Sequence, residues 1–233
     1  MNRLKRTGTR TRKRIGGTKK AKTGKRTIYC QDAIPWLEKQ EGLDAIVTSI
    51  PEMDEMKMTF KEYIPFFRNT ARRCLEAVKE TGYCIFLQTD RKYKGWVDKS
   101  YLITGEAEAL GMRLLWHKIA LRVEVGKTDL YRPGYSHMLC YSKKGKIGIP
   151  TADVVHRGEV TYPNAFGMDA VRHVVGYLKK QGVKSVVDPF VGSGTVVAIA
   201  NALGMKAVGV DIDKVQCEKA RKLVLSAEAE SDH

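Results

Sequence analysis

The sequence predicts an α/β fold: a mostly parallel sheet with helices on both faces. Three observations predict it. Short apolar runs without alternation recur along the chain, as in strands covered on both sides. Between them, apolar residues repeat at the three-and-four spacing of amphipathic helices. The two kinds of segment alternate, which is the pattern of parallel strands joined by crossover helices.

Seven strands are expected, over residues 26–30, 45–49, 83–88, 114–125, 137–142, 185–189 and 207–211. The helical spacing is carried by Tyr63, Ile64, Phe67, Ala71, Leu75 and Val78. It returns at Val171, Val174, Val175 and Leu178, and again at Ala220, Leu223 and Val224. The strands at 114–125 and 137–142 are separated by a loop with Gly and Pro and no helix, so they are expected to run antiparallel. The 233 residues suffice for one sizeable domain and are short for two.

Composition excludes several classes. No run reaches the roughly 18–20 apolar residues that span a bilayer, and no signal peptide is visible. The five cysteines are odd in number, scattered and free of C-x-x-C pairs, which fits reduced intracellular thiols. His117, His137, His156 and His173 lack metal-ligand spacing, and no metal is expected.

The net charge of +15 is uneven. Residues 1–26 hold twelve Lys and Arg and no acid, leaving 29 basic against 26 acidic residues elsewhere. Such a segment cannot bury enough surface to offset its ordering entropy, so it is expected to be a disordered tail. Three readings stay open: a solvated tail, a phosphate-contacting arm that doubles as a nuclear address, and an organellar transit peptide. The expected division is a tail at 1–26, a folded domain at 27–226 and a short C-terminal tail at 227–233.

The segment 186–195, Val-Val-Asp-Pro-Phe-Val-Gly-Ser-Gly-Thr, reads as a strand, a Gly-rich turn and a helix start. Gly192 and Gly194 permit a tight turn and close approach of a ligand, and helix N–H groups then face that ligand. A second strand ends at Asp211, about 20 residues on, where an acid can bind both ribose hydroxyls. No Lys follows the last Gly, which disfavours a phosphate-binding loop. Asp188 ahead of the glycines suits a cationic ligand better than a pyrophosphate. A structural Gly turn is the plain alternative.

This block resembles the D-P-F-x-G-S-G-T motif of the amino-methyltransferases that modify DNA bases, which use S-adenosylmethionine (SAM). Asp44-Ala-Ile-Val-Thr-Ser-Ile-Pro-Glu52 stands at the place of that family's D-x-I-x-T-S-P-P-Y motif and precedes the SAM motif, as in the β-class permutation. Cys30-Gln-Asp32 and Tyr162-Pro-Asn-Ala-Phe166 resemble two further family segments. The resemblance covers roughly 27–225. It implies a Rossmann-like SAM-dependent methyltransferase with a seven-stranded sheet in circularly permuted motif order. By resemblance, Asp188, Pro189, Phe190, Gly192, Gly194 and Thr195 line the methionine and ribose. Asp211 and Ile212 serve the ribose side, Asp32 reads the adenine, and Asn164 with Phe166 closes the pocket. For Asp32, a helix N-cap is an equal alternative.

In the family, an exocyclic amine attacks the SAM methyl, helped by a side-chain oxygen, a backbone carbonyl and a stacked aromatic. The resemblance therefore nominates Ser49, Ile50, Pro51 and Glu52 as catalytic. Ile50 replaces a proline, and Glu52 replaces the aromatic. A carboxylate cannot stack, but it can accept a proton or a hydrogen bond. First-turn helix acids are the plain alternative for Glu52, Asp54 and Glu55. Tyr131 and Tyr135 are candidates for a replacement stack. The stretch 143–162 is too short for a separate target-recognition domain. Specificity then comes from a protein partner or from recognition of shape, which prefers RNA over DNA. The expected function is methylation of a nucleic acid by an intracellular protein that does not engage membranes. A catalytically silent nucleic-acid-binding or partner-supporting relative, and a methyltransferase for protein or a small molecule, are the rivals.

Overall fold

The computed structural model describes residues 25–92, 94–162 and 165–226. The calls on residues 1–24, Asn164 and 227–233 lie outside the described residues. Among the described residues, ten strands are present: β1 (Arg26–Cys30), β2 (Leu43–Thr48), β3 (Val78–Gln88), β4 (Arg91–Lys92), β5 (Trp96–Val97), β6 (Arg113–Leu121), β7 (Tyr135–Ser142), β8 (Val154–His156), β9 (Ser185–Asp188) and β10 (Lys206–Asp211). Seven helices accompany them there: α1 (Ala33–Leu37), α2 (Met53–Met56), α3 (Phe60–Ala77), α4 (Lys99–Ala109), α5 (Met168–Lys180), α6 (Thr195–Ala202) and α7 (Lys214–Lys222).

The main sheet runs β1-β10-β9-β2-β3-β7-β6-β8. Strands β1, β10, β9, β2 and β3 are mutually parallel. Strand β7 is antiparallel to both β3 and β6, as the helix-free loop between them requires. All seven expected strands are in this sheet. The eighth, β8, is a three-residue edge strand parallel to β6, too short to leave a periodic signal. Strand β6 stops four residues short of the expected end, because Arg122 and Val123 instead donate to the Gly134 carbonyl (2.8 and 3.2 Å) and the chain turns there.

Period-two alternation sorts side chains onto two faces. Val47, Ile85 and Met138 enter one apolar cluster, with Val174 and Leu178 of α5, Val197 of α6 and Ala220 of α7. Their neighbours Ile46, Phe86 and Leu139 enter the other, with Tyr63, Phe67 and Leu75 of α3 and Ile103 of α4. Helices therefore cover both faces, as expected. Helix α3 starts at a capping box: Thr59 Oγ1 accepts from Glu62 N, and the Glu62 carboxylate accepts from Thr59 N. Asp98 and Asp213 cap α4 and α7 through backbone N–H groups.

Arg26 corrects the tail boundary. Counted with the basic tail, it is the first residue of β1. Its guanidinium donates to Asn201 Oδ1 (2.8 Å) and to the carbonyls of Ala220 and Leu223 (2.6 and 2.8 Å), closing the last turn of α7. Among the described residues, no helix is long and apolar enough to cross a membrane.

Candidate active site

In an open parallel sheet, ligands bind beyond the carboxyl ends of the strands. Here those ends supply the predicted residues in spatial order. Asp32 follows β1, Asp211 ends β10, Asp188 ends β9, and Ser49 follows β2. A cavity of about 950 Å³ lies along them. Asp32, Ser49, Ile50, Pro51, Glu52, Phe166, Asp188, Pro189, Phe190, Gly192, Thr195, Asp211 and Ile212 all line it.

Gly194 does not line this cavity, contrary to expectation. It precedes α6 at φ +98°, and a Cβ there would lie 2.7 Å from Ala220 Cα. Its glycine is needed for close packing of the turn on α7. Gly192, at φ +50°, does line the cavity, and a Cβ on it would meet the Tyr162 hydroxyl at 2.5 Å. The two motif glycines thus have different physical reasons.

The cofactor half is preorganised by its acids. Asp211 Oδ2 accepts from Gly192 N (2.9 Å) and Oδ1 from Asp213 N (2.8 Å), which fixes the Gly turn against β10. Asp32 Oδ1 accepts from Ile34 N (2.9 Å), so the N-cap reading is correct, and the residue also lines the cavity. Asp188 is buried, and burial raises its pKa to about 7. The hydrogen bonds from Thr48 Oγ1 (2.8 Å) and Phe190 N (3.1 Å) oppose that rise, while Asp211 adds to it. No cation among the described residues pairs with Asp188. Thr161 Oγ1 meets Ser193 Oγ (3.0 Å) and Thr195 Oγ1 (2.7 Å), tying the pocket-closing segment to the Gly turn. Tyr162 lines the cavity, and burial pushes its phenol up to about 12.

At the other end, Ile50 and Pro51 line the cavity. The Ile50 side chain is in the core, and its carbonyl accepts from Gln88 Nε2 (3.3 Å). The Pro51 carbonyl accepts from the Tyr63 hydroxyl (3.0 Å). Glu52 is the N-cap of α2 and its backbone N donates to Glu55 (3.0 Å), while Asp54 and Glu55 are first-turn acids, as the plain reading had all three. The Glu52 carboxylate does something else as well. Oε1 takes a 2.5 Å hydrogen bond from Lys99 Nζ, whose side chain is fully buried. Oε2 is buried, and Glu52 and Glu55 form a reciprocal capping box at the start of α2. Lys99 lies 5.8 and 5.7 Å from the Tyr63 and Phe67 ring centroids. Its backbone N donates to Asp90 Oδ1 (2.9 Å).

Tyr131 and Tyr135 do not line the cavity. Tyr131 is largely exposed, and Tyr135 stands edge-on to His137. Ligand atoms of Asp90, Asp98 and His137 lie within 4.8 Å of one another, a proximity that chain spacing did not show. Asp90 accepts from Trp96 Nε1 (2.8 Å) and Lys99 N, and lies 3.0 Å from His137 Nε2, while Asp98 caps α4. These bonds make the cluster a clamp that seats Lys99. Sequence reasoning missed Lys99 and three cavity-lining arginines, Arg122, Arg132 and Arg157.

Residues 156–222 match the family model described as DNA methylase. No curated protein matches the chain. Among solved structures, the cytosine-N4-specific PvuII DNA methyltransferase aligns at TM-score 0.70 and 15% identity, covering 88% of this chain and 89% of that one. The M1.HpyAVI–SAM complex aligns at 0.59 and 18% identity, covering 84% and 98%. TTHA0409 of Thermus thermophilus, complexed with S-adenosyl-L-methionine, aligns at 0.63 and 16%, covering 85% and 93%. The fold is that of the SAM-dependent methyltransferases. The family-model match falls on the segment that carries the Gly-rich motif, where the resemblance to the DNA amino-methyltransferases is borne out.

Proposed function

We propose that the chain transfers the methyl group of SAM to an exocyclic base amine of a nucleic acid, with its motifs in permuted order. The observation that carries this reading is one cavity with acids for the cofactor at one end and Ser49-Ile50-Pro51-Glu52 at the other. The residues fit SAM: Asp188 is a buried carboxylate in want of a cation, and the cavity of about 950 Å³ has room for cofactor and base. Asp188 would hold the methionine ammonium, Asp211 the ribose hydroxyls and Asp32 the adenine. Phe166 and Phe190 would flank the ligand.

SAM supplies an electrophilic methyl on a sulfonium. The protein's work is to present the amine lone pair in line with it. Ser49 Oγ and the Ile50 carbonyl accept the amine N–H bonds, drawing nitrogen toward tetrahedral geometry. The Glu52 carboxylate gives a place for the proton that nitrogen sheds as the N–C bond forms. Lys99 is a positioning residue: it fixes Glu52 by holding Oε1.

DNA and RNA are both within this reading. The stretch 143–162 contributes β8 and Arg157 and no separate domain, so a protein partner or the shape of the target sets specificity. The basic segment ahead of β1 would add phosphate contacts, and the protein would act inside the cell.

The test is incubation with labelled SAM and total DNA, RNA and protein, each digested and counted. Label in the nucleic-acid fractions is expected. Label only in protein sinks the substrate reading, and absence of SAM binding sinks the enzyme reading. Ser49→Ala and Glu52→Ala are expected to lower turnover about a hundredfold with SAM affinity nearly intact. Equal loss of both would mark them as cofactor or folding residues.

A further inference from the structure

The acceptor end of the cavity carries three guanidinium groups that the methyl-transfer chemistry does not use. Arg122, Arg132 and Arg157 come from separate places in the chain and line the same cavity as Ser49 and Glu52. Each is anchored through its own backbone N–H. Arg122 N donates to Gly134 O (2.8 Å), and its Nη1 donates to Pro133 O (2.9 Å). Arg132 N donates to Asp129 Oδ1 (3.1 Å), and Asp129 Oδ2 lies 3.7 Å from Arg122. Arg157 N donates to Leu121 O (2.9 Å), and Arg157 O accepts from Asp169 N and Ala170 N at the start of α5. Gly167 leaves room for that approach, since a Cβ there would sit 2.0 Å from Arg157 O.

The arrangement costs stability. The β6–β8 register ends at Leu121↔His156, so Arg122 and Arg157 are the residues that follow it, just past the ends of the two strands. Like charges held close together disfavour each other's charged form. Burial lowers the Arg122 pKa, and Arg157 and Arg132 lower it further. Neither Arg132 nor Arg157 has a carboxylate within salt-bridge distance among the described residues. The nearby Glu52 is already paired with Lys99. Local rules are broken in this way mainly where function requires it.

We propose that Arg122, Arg132 and Arg157 form a phosphate site that anchors the acceptor nucleotide while its base faces Ser49 and Glu52. This deepens the nucleic-acid reading above and rests on it. A phosphate here receives charge-assisted hydrogen bonds in the fork geometry that guanidinium offers. The phosphate belongs either to a polynucleotide backbone or to a free nucleotide.

The test uses the full chain and its Arg132→Gln and Arg157→Gln variants, with Lys179→Gln on the exposed end of α5 as a charge-matched control. Binding of a 12-residue single-stranded oligonucleotide (DNA and RNA), a nucleoside 5′-monophosphate, the bare nucleoside and inorganic phosphate is measured by calorimetry across salt concentration. The arginine variants are expected to bind phosphate-bearing probes about tenfold more weakly than the control variant. Their salt slope for the oligonucleotide should fall by about one. SAM and nucleoside affinity should be unchanged. A monophosphate that competes with the oligonucleotide at equal affinity assigns the site to a free nucleotide; a preference for the oligonucleotide assigns it to a backbone. Either supports the site. Arginine variants that match the control overturn it, as does a parallel loss of SAM affinity, which would place the guanidiniums on the cofactor. Arginine-dependent phosphate binding without methyl transfer to any nucleic acid would keep the site and refute the reading it rests on.

Discussion

Asp188→Asn offers the sharpest test of the cofactor site. Burial raises the folded pKa to about 7, well above the carboxylate's ordinary value. If the cofactor's ammonium binds only the ionised form, apparent affinity scales with the ionised fraction. That fraction is roughly 0.1 at pH 6 and 0.9 at pH 8, so the apparent Kd should fall about tenfold across the interval, or about 1.4 kcal/mol. Binding near pH 7 should release about half a proton, measurable by calorimetry in buffers of different ionisation enthalpy. Asparagine keeps an Oδ1 to accept from Thr48 and Phe190 N. The variant should therefore fold, bind more weakly at pH 8, and lose the part of the pH dependence that the wild type owes to Asp188.

The sign of the stability effect is fixed by the same shift. A carboxyl raised in the folded state keeps its proton after the unfolded chain has lost it. Wild-type apo stability should thus decline from about pH 4 to pH 7 and then level off, by at most about 4 kcal/mol. The thermal midpoint of the asparagine variant should exceed that of the wild type at pH 8 and match it near pH 4. A wild type whose SAM affinity has the same pH profile as the variant would refute the assignment of Asp188 to the cationic end of the ligand.

Three further outcomes follow from individual contacts. Thr48→Val removes a hydrogen bond that lowers the Asp188 pKa, so the midpoint of the SAM-binding pH profile should move upward. Lys99→Met leaves the Glu52 carboxylate without its partner; unfolding should cost about 3 kcal/mol less by denaturant titration, and kcat should fall while the Kd for SAM holds. Gly194→Ala forces a Cβ to 2.7 Å from Ala220 Cα at φ +98°, so stability should drop by about 2 kcal/mol or more, with SAM binding recovered at low temperature.

What could be read from the sequence was what adjacent residues encode. The Gly-rich turn, the acids at strand ends and the seven longer strands all leave local patterns, and the structure brings the expected site residues together around one cavity with few exceptions. The exceptions are tertiary. Gly194 looks like a ligand-lining glycine in the motif, yet its reason is α7, which lies more than a dozen residues further along the chain. Lys99 opens a helix of no marked amphipathicity, and its partners are far along the chain: Glu52 for its ammonium and Asp90 for its backbone. Arg122 and Arg157 meet through an edge strand three residues long. None of these pairings has a spacing that could announce it.

The departure at Glu52 takes on a different meaning in this light. A residue left over from a decayed site needs no support, whereas Glu52 has a fully buried lysine dedicated to one of its oxygens. Buried ion pairs are poor devices for stability, because desolvation consumes most of their attraction. The Glu52–Lys99 pair is therefore better explained by position: it fixes a carboxylate-bearing residue that lines the cavity beside Ser49, Ile50 and Pro51. Losing an aromatic platform forfeits about 1–3 kcal/mol of base stacking. Hydrogen bonds to charged groups contribute about 1.5–3 kcal/mol each, so one contact to Glu52 and one to a phosphate-holding arginine can offset that loss. On the function proposed above, the substrate half of the site then differs from the family motif in its means of grip, with charge in place of stacking.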